Sequence, residues 1–177
     1  MVNRRHLKST HEDTVLRQFA AHLERSGSKL QVLARPEPPE ALVEFDGKKS
    51  WIEITDAFLD KRHAISLTSG ASDDVSRIPD AGRLIIDPDE TFSRVLYSVV
   101  EAKYNKPSMH RIAESHGLGI LLVGIFTPFK TAEAVAHDEA TAIAAIVSSK
   151  AIQVFETIYA YEGTGQRTFH VLYRKTS

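Results

Sequence analysis

Apolar residues first recur at helical spacing at Val15, Leu16, Phe19, Ala20 and Leu23, and the run stops at Gly27. Side chains three and four positions apart share a helix face, so this segment predicts an amphipathic helix. Ser9 or Thr10, with Glu12 or Asp13 three residues later, makes a capping box that places the helix start there. Leu30–Ala34 reads as a short strand. It is followed by Arg35-Pro36-Glu37-Pro38-Pro39, where three prolines break regular structure. Residues 41–45 and 50–55 are β-rich runs on either side of Asp46-Gly47-Lys48-Lys49, and Asp-Gly is a strong hairpin turn signal.

The second half of the chain predicts an alternation of helix and strand. Residues 59–80 are polar and irregular, and a loop of that length is usually functional or mobile; a short apolar stretch covers 83–86. Asp87-Pro88-Asp89-Glu90 opens a helix whose buried face is Phe92, Val95, Leu96, Val99 and Val100, bounded by Pro107. Met109, Ile112 and Ala113 predict another turn or two of helix before Gly117. Residues 118–126 are almost continuously apolar, the pattern of a central strand buried on both faces. Ala132–Ser148 predicts a helix, and 155–161 with 168–173 a final strand pair across Gly163-Thr164-Gly165. The expected fold is α/β: one domain over 1–177, with a mixed sheet of about five strands flanked by helices.

Composition narrows the function classes. The chain has 177 residues, no cysteine, and 22 Lys+Arg against 23 Asp+Glu, a net charge of −1. Thiolate zinc sites, disulfide scaffolds and a thiol nucleophile are therefore excluded, and a generic polyanion binder is disfavoured. No apolar run reaches the roughly 20 residues of a bilayer span, and no apolar signal core follows Met1, so a cytoplasmic location is expected. Charge is unevenly placed. Residues 1–30 hold six cations against three acids, whereas 37–60 hold seven acids against Lys48 and Lys49. The eight histidines show no metal-ligand spacing, and there is no phosphate-binding glycine loop or Gly-x-Ser-x-Gly.

Candidate chemistry centres on the second hairpin strand. Strand alternation puts Ile52 and Ile54 on one face and Trp51, Glu53 and Thr55 on the other. Glu40 stands directly after Pro39 at the entry to the preceding strand, so antiparallel pairing can bring it near Glu53. Glu12 has two readings, a capping-box acid or an acid on the sheet-facing stripe Glu12, Leu16, Phe19, Leu23. Lys103 also has two, a snorkelling lysine at a helix end or the continuation of the buried face from Phe92, Leu96 and Val99. Tyr104 beside it either packs or touches a phosphate.

Glu40, a hairpin, then Glu53-Ile54-Thr55 resembles the active-site signature of the PD-(D/E)XK nuclease superfamily, the restriction-endonuclease-like fold with an α-β-β-β-α-β core. The resemblance extends over roughly residues 9–161. It implies a metal-dependent endonuclease, a hydrolase of nucleic acid. Glu40, Glu53 and the carbonyl of Ile54 would hold Mg2+ or Mn2+, Glu12 would assist, and the basic N-terminal arm and Lys61-Arg62-His63 would meet the nucleic-acid backbone. Two positions depart from the family pattern: Glu40 replaces the usual Asp, and Thr55 replaces the motif lysine, for which Lys103 is the favoured substitute. The alternative is a catalytically degenerate protein of this fold serving as a binding or assembly module, a homodimer among the arrangements open to it. A third reading is a generic α/β protein in which Glu40 and Glu53 point to different surfaces.

Overall fold

The computed structural model describes residues 4–59, 87–165 and 167–176. In chain order the elements are α1 (Arg4–Arg25), β1 (Leu30–Ala34), β2 (Ala41–Phe45), β3 (Lys48–Phe58), α2 (Pro88–Tyr104), α3 (Pro107–His116), β4 (Gly119–Phe126), α4 (Ala132–Ser148), β5 (Phe155–Glu162) and β6 (Phe169–Arg174). The strands form one mixed sheet in the order β1-β2-β3-β4-β5-β6. β1, β2 and β3 run antiparallel, β3, β4 and β5 parallel, and β5 and β6 antiparallel. The sheet has six strands rather than about five, because 30–34 pairs with β2 as an edge strand.

Each local signal has a visible consequence. Asp46 and Gly47 both take positive φ, 46° and 79°, so a two-residue turn joins β2 to β3 and the second strand begins at Lys48, earlier than expected. β4 is buried along its whole length, as its apolar run requires. α1 starts before the expected cap: Ser9 and Thr10 lie inside it, and the Thr14 hydroxyl donates to the Thr10 carbonyl at 2.8 Å. No glycine or proline interrupts 4–10, so the helix continues upstream and no capping box forms at Ser9 or Thr10. Of the expected 59–80 loop, Leu59 is described and buried; the rest of it, Lys61-Arg62-His63 included, and the 83–86 stretch lie outside the described residues. No helix among the described residues is long and apolar enough to cross a membrane.

The sheet separates two apolar layers, which sets the direction of every side chain on β3. On one face Val15, Leu16, Phe19 and Leu23 of α1 pack on Ile52, Ile54, Leu122 and Tyr159. On the other, Phe92, Leu96 and Val100 of α2, Met109 of α3 and Ile143 of α4 pack on Trp51, Leu121, Val123 and Ile158. Full burial of each such side chain contributes roughly 1.5–3 kcal/mol, so the two layers hold α1 and α2 firmly against opposite faces of β3. Trp51 leaves room for no side chain on Gly119, whose Cβ would fall inside the indole, and its Nε1 donates to the Gly117 carbonyl at 2.7 Å.

Candidate functional site

β2 and β3 part company at a defined point. Their pairing ends at Ala41 opposite Ile52, after which β3 runs on to Phe58 while the chain before Ala41 turns away through Pro36, Pro38 and Pro39. Proline cannot donate to a ladder, so β2 cannot extend in that direction. The fork opens a cleft of about 550 Å³ whose lining includes Glu12, Glu40, Glu53, Thr55, Lys103 and Lys8. All five candidate side chains from the sequence therefore border one space, with Ile54 beside them.

Glu53 is 2% exposed and lies on the α2 side of β3, as strand alternation requires. Lys103 reaches it from α2, with Nζ donating to Oε1 at 2.5 Å. The buried face of α2 is Phe92, Leu96, Val100 and Tyr104, so Lys103 flanks that face rather than continuing it, and the packing of its neighbours carries it to the cleft. Tyr104 is a packing residue: it is 1% exposed and meets Phe155 edge to face with ring centroids 5.4 Å apart. Burial pushes its hydroxyl pKa upward.

Glu12 enters from the opposite face. It sits well inside α1, so its role is not that of a capping acid, and its stripe with Leu16, Phe19 and Leu23 is buried against the sheet. Carboxylate oxygens of Glu12, Glu37 and Glu40 all lie within 4.8 Å of one another. Glu53 is outside this triad, although it borders the same cleft. The Lys8 ammonium stands among the three acids, 3.1 Å from Glu12, 3.4 Å from Glu40 and 3.9 Å from Glu37. Arg35 ties the segment after β1 to this group by donating to the Glu40 carbonyl, pairing with Asp13 and approaching Glu12 at 3.6 Å. The sequence reading missed Glu37, Lys8 and Arg35. Lys8 was legible as the i−4 partner of Glu12, whereas the other two lie in or beside the proline segment, whose path no periodicity predicts.

Four glutamates are buried among the described residues. Glu139, between α2 and α4, accepts from Ser93 at 2.6 Å and Tyr97 at 2.5 Å, one bond for each oxygen. Glu12, Glu40 and Glu53 each keep one buried Oε2 with no hydrogen-bond donor. Burying an unsatisfied charged oxygen is costly, and buried charges are normally paired or bound to metal. Glu12, Glu37 and Glu40 form an all-oxygen donor set of the kind a hard divalent cation takes, with the Lys8 ammonium among them and Glu53 at the border of the same cleft.

Burial, and then the charge of Glu40, raise the Glu12 pKa from 4.5 to about 7, against the opposing pull of Lys8. A carboxyl raised on folding binds its proton more tightly in the native state, so its contribution to stability is full below about pH 4.5 and fades as pH rises through 7. In metal-free buffer Tm should fall as pH is taken from 5 to 8, and Glu12→Gln, which cannot ionise, should flatten that dependence. Calorimetry of both proteins at several pH values checks it; an unchanged slope in Glu12→Gln would show that Glu12 is not the group responsible.

Beyond the acids, β3 carries Asp56 on the α1 face. Tyr161 donates to Asp56 at 2.7 Å, and His11 Nε2 lies 3.5 Å from Asp56 and 3.3 Å from the Tyr161 hydroxyl. Gly124 stands between Asp56 and Tyr161 in register, where any Cβ would overlap both polar atoms. This network anchors the N-terminal half of α1 over β3 and β5, and so holds Glu12 at the cleft. Lys48 and Lys49 lie away from the acids, in a different groove. No histidine belongs to the acidic triad. Comparison of the chain with protein-family models, with curated proteins and with solved structures finds no match, so the chemistry has to be read from these residues alone.

Proposed function

We propose that the cleft is the active site of a metal-dependent nuclease of the PD-(D/E)XK type, hydrolysing phosphodiester bonds of nucleic acid. The observation that carries this reading is the meeting of Lys103 with Glu53 at 2.5 Å in the same cleft as Glu12 and Glu40. It supports Lys103 as the substitute for the motif lysine that Thr55 replaces. Glu12, Glu40, Glu53 and the Ile54 carbonyl would hold Mg2+ or Mn2+. Such a cation, when bound, lowers the pKa of a coordinated water and offsets charge on the phosphate.

The protein's own groups supply the remainder. Lys103, held by Glu53, presents its ammonium where an attacking water must be oriented and where negative charge grows in the transition state. Lys106 is exposed at the rim of the cleft, able to meet a phosphate oxygen without the cost of burying a charge. Thr55 borders the same space as a neutral hydroxyl. Asp13 and Arg35 brace the proline segment that presents Glu37 and Glu40.

Isothermal titration with Mn2+, run beside a cleavage assay on plasmid DNA and on single-stranded RNA, tests the proposal. We expect saturable binding that Glu40→Gln weakens at least about tenfold, equivalent to about 1.4 kcal/mol, together with Mn2+-dependent cleavage of at least one substrate. Binding without cleavage would support the assembly-module reading over the nuclease. Absence of both would remove the metal site from consideration.

A further inference from the structure

A second groove, of about 690 Å³, lies at the other end of the sheet under the C-terminal end of α1. Its rim carries Lys48 and Lys49 from the start of β3, and Arg174 and Lys175 from the end of β6 and just beyond. The two segments are remote in sequence; β3, β4 and β5 run parallel and β6 returns antiparallel, which brings the start of β3 and the end of β6 to the same end of the sheet. All four residues are exposed, and none forms an ion pair among the described residues. In the acidic cleft, by contrast, Lys8 and Lys103 are both committed to carboxylates. The acids lining the groove are Asp46 and Glu156, and one oxygen of Asp46 already accepts the Lys29 backbone N–H at 2.7 Å. A chain of net charge −1 therefore concentrates unpaired positive charge in one concavity.

We infer that this groove binds the phosphate backbone of a polynucleotide, as a second contact for the substrate of the cleft. The inference rests on the nuclease reading for the word substrate and on the groove's own charge for the binding. Four unpaired cations attract successive phosphates without reading bases, because neutralising them releases condensed counterions. α1 links the two places: Glu12 borders the cleft and His22 the groove, roughly 15 Å apart at a 1.5 Å rise per residue. The substrate class is accordingly an extended polynucleotide rather than a nucleotide-sized phosphodiester.

The test uses the whole protein and a fluorescein-labelled 30-nucleotide single strand, with anisotropy read in EDTA over a range of salt. The fourfold variant Lys48→Ala, Lys49→Ala, Arg174→Ala, Lys175→Ala removes only exposed side chains, and far-UV circular dichroism verifies its fold. We expect at least a tenfold loss of affinity at about 0.1 M salt and a salt slope shallower by about 2–3, since each lost contact with a single strand removes about 0.7. Mn2+ affinity should be unchanged. Equal affinity and slope in the variant and the parent would overturn the inference. So would loss of binding to a labelled poly-glutamate peptide while the 30-mer is still held, because the groove would then take an acidic protein. The two proposals fail separately: groove-dependent binding without Mn2+-dependent cleavage removes the nuclease and keeps the groove, and cleavage with a groove-independent 30-mer does the reverse.

Discussion

Glu53→Ala should reduce Mn2+-dependent cleavage at least about 10³-fold in kcat/KM, a loss of about 4 kcal/mol of transition-state stabilisation. The size follows from two losses in one substitution. The cleft loses a carboxylate with a buried, donorless oxygen, which the proposal assigns to the cation. Lys103 loses the partner that holds its ammonium in place. The fold should survive, because the Lys103 side chain is 18% exposed and can turn its charge to water when Glu53 is removed. Glu53→Gln separates size from charge: it keeps the volume and a hydrogen-bond acceptor, but a neutral amide is a poor ligand for a hard cation, so activity should stay low. Single-turnover cleavage under saturating Mn2+ is the measurement. Turnover within a few fold of the parent in both Glu53→Ala and Glu40→Ala would mean that the cleft is not where the phosphodiester is broken.

Lys103→Ala should lower kcat by roughly 10²–10³-fold while changing nucleic-acid affinity less than about threefold, because its ammonium is proposed to act on the nucleophile and the transition state. The same change leaves Glu53, 2% exposed, without its counter-charge. Removing one partner of a buried pair costs about 3–5 kcal/mol, so Lys103→Ala should also melt earlier in metal-free buffer and recover part of that loss when Mn2+ is added. A positional rescue gives the sharper readout. Thr55 borders the same cleft as Glu53 and alternates onto the same face of β3. Thr55→Lys in the Lys103→Ala background returns an ammonium to that space from the strand instead of the helix, and cleavage should rise at least about tenfold over the single variant, about 1.4 kcal/mol. A purely structural role for Lys103 predicts recovery of Tm without recovery of kcat.

Much of this architecture is local and was therefore readable from the chain. The period-two alternation in 50–55 assigned Glu53 to the face opposite Ile52 and Ile54, and the two cores confirm the split. The continuous apolar run of 118–126 specified a strand buried on both sides, and the Ala132–Ser148 helix has the expected bounds. The stripe from Glu12 through Leu23 identified the face of α1 that meets the sheet, because helical geometry places i, i+4 and i+7 together wherever the helix is docked. Local pattern was less reliable where two signals competed. Ser9 and Thr10 can cap a helix, but nothing upstream stopped one, so the capping reading of Glu12 gave way to a buried acid on the third turn.

The assembly of the site belongs to the tertiary structure. Lys103 is fifty positions from Glu53; periodicity left its direction on α2 open between two readings, and it does not say that α2 lies across β3. That follows from the packing of Phe92, Leu96 and Val100 on the sheet. Glu37 and Arg35 come to Glu12 through a proline segment with no repeating pattern, and the sixth strand exists because β1 found an open edge on β2. Periodicity orients a side chain relative to its own helix or strand. Which side chains then share a cleft depends on how the elements bury their apolar faces against one another, and that depends on contacts between residues far apart in the chain.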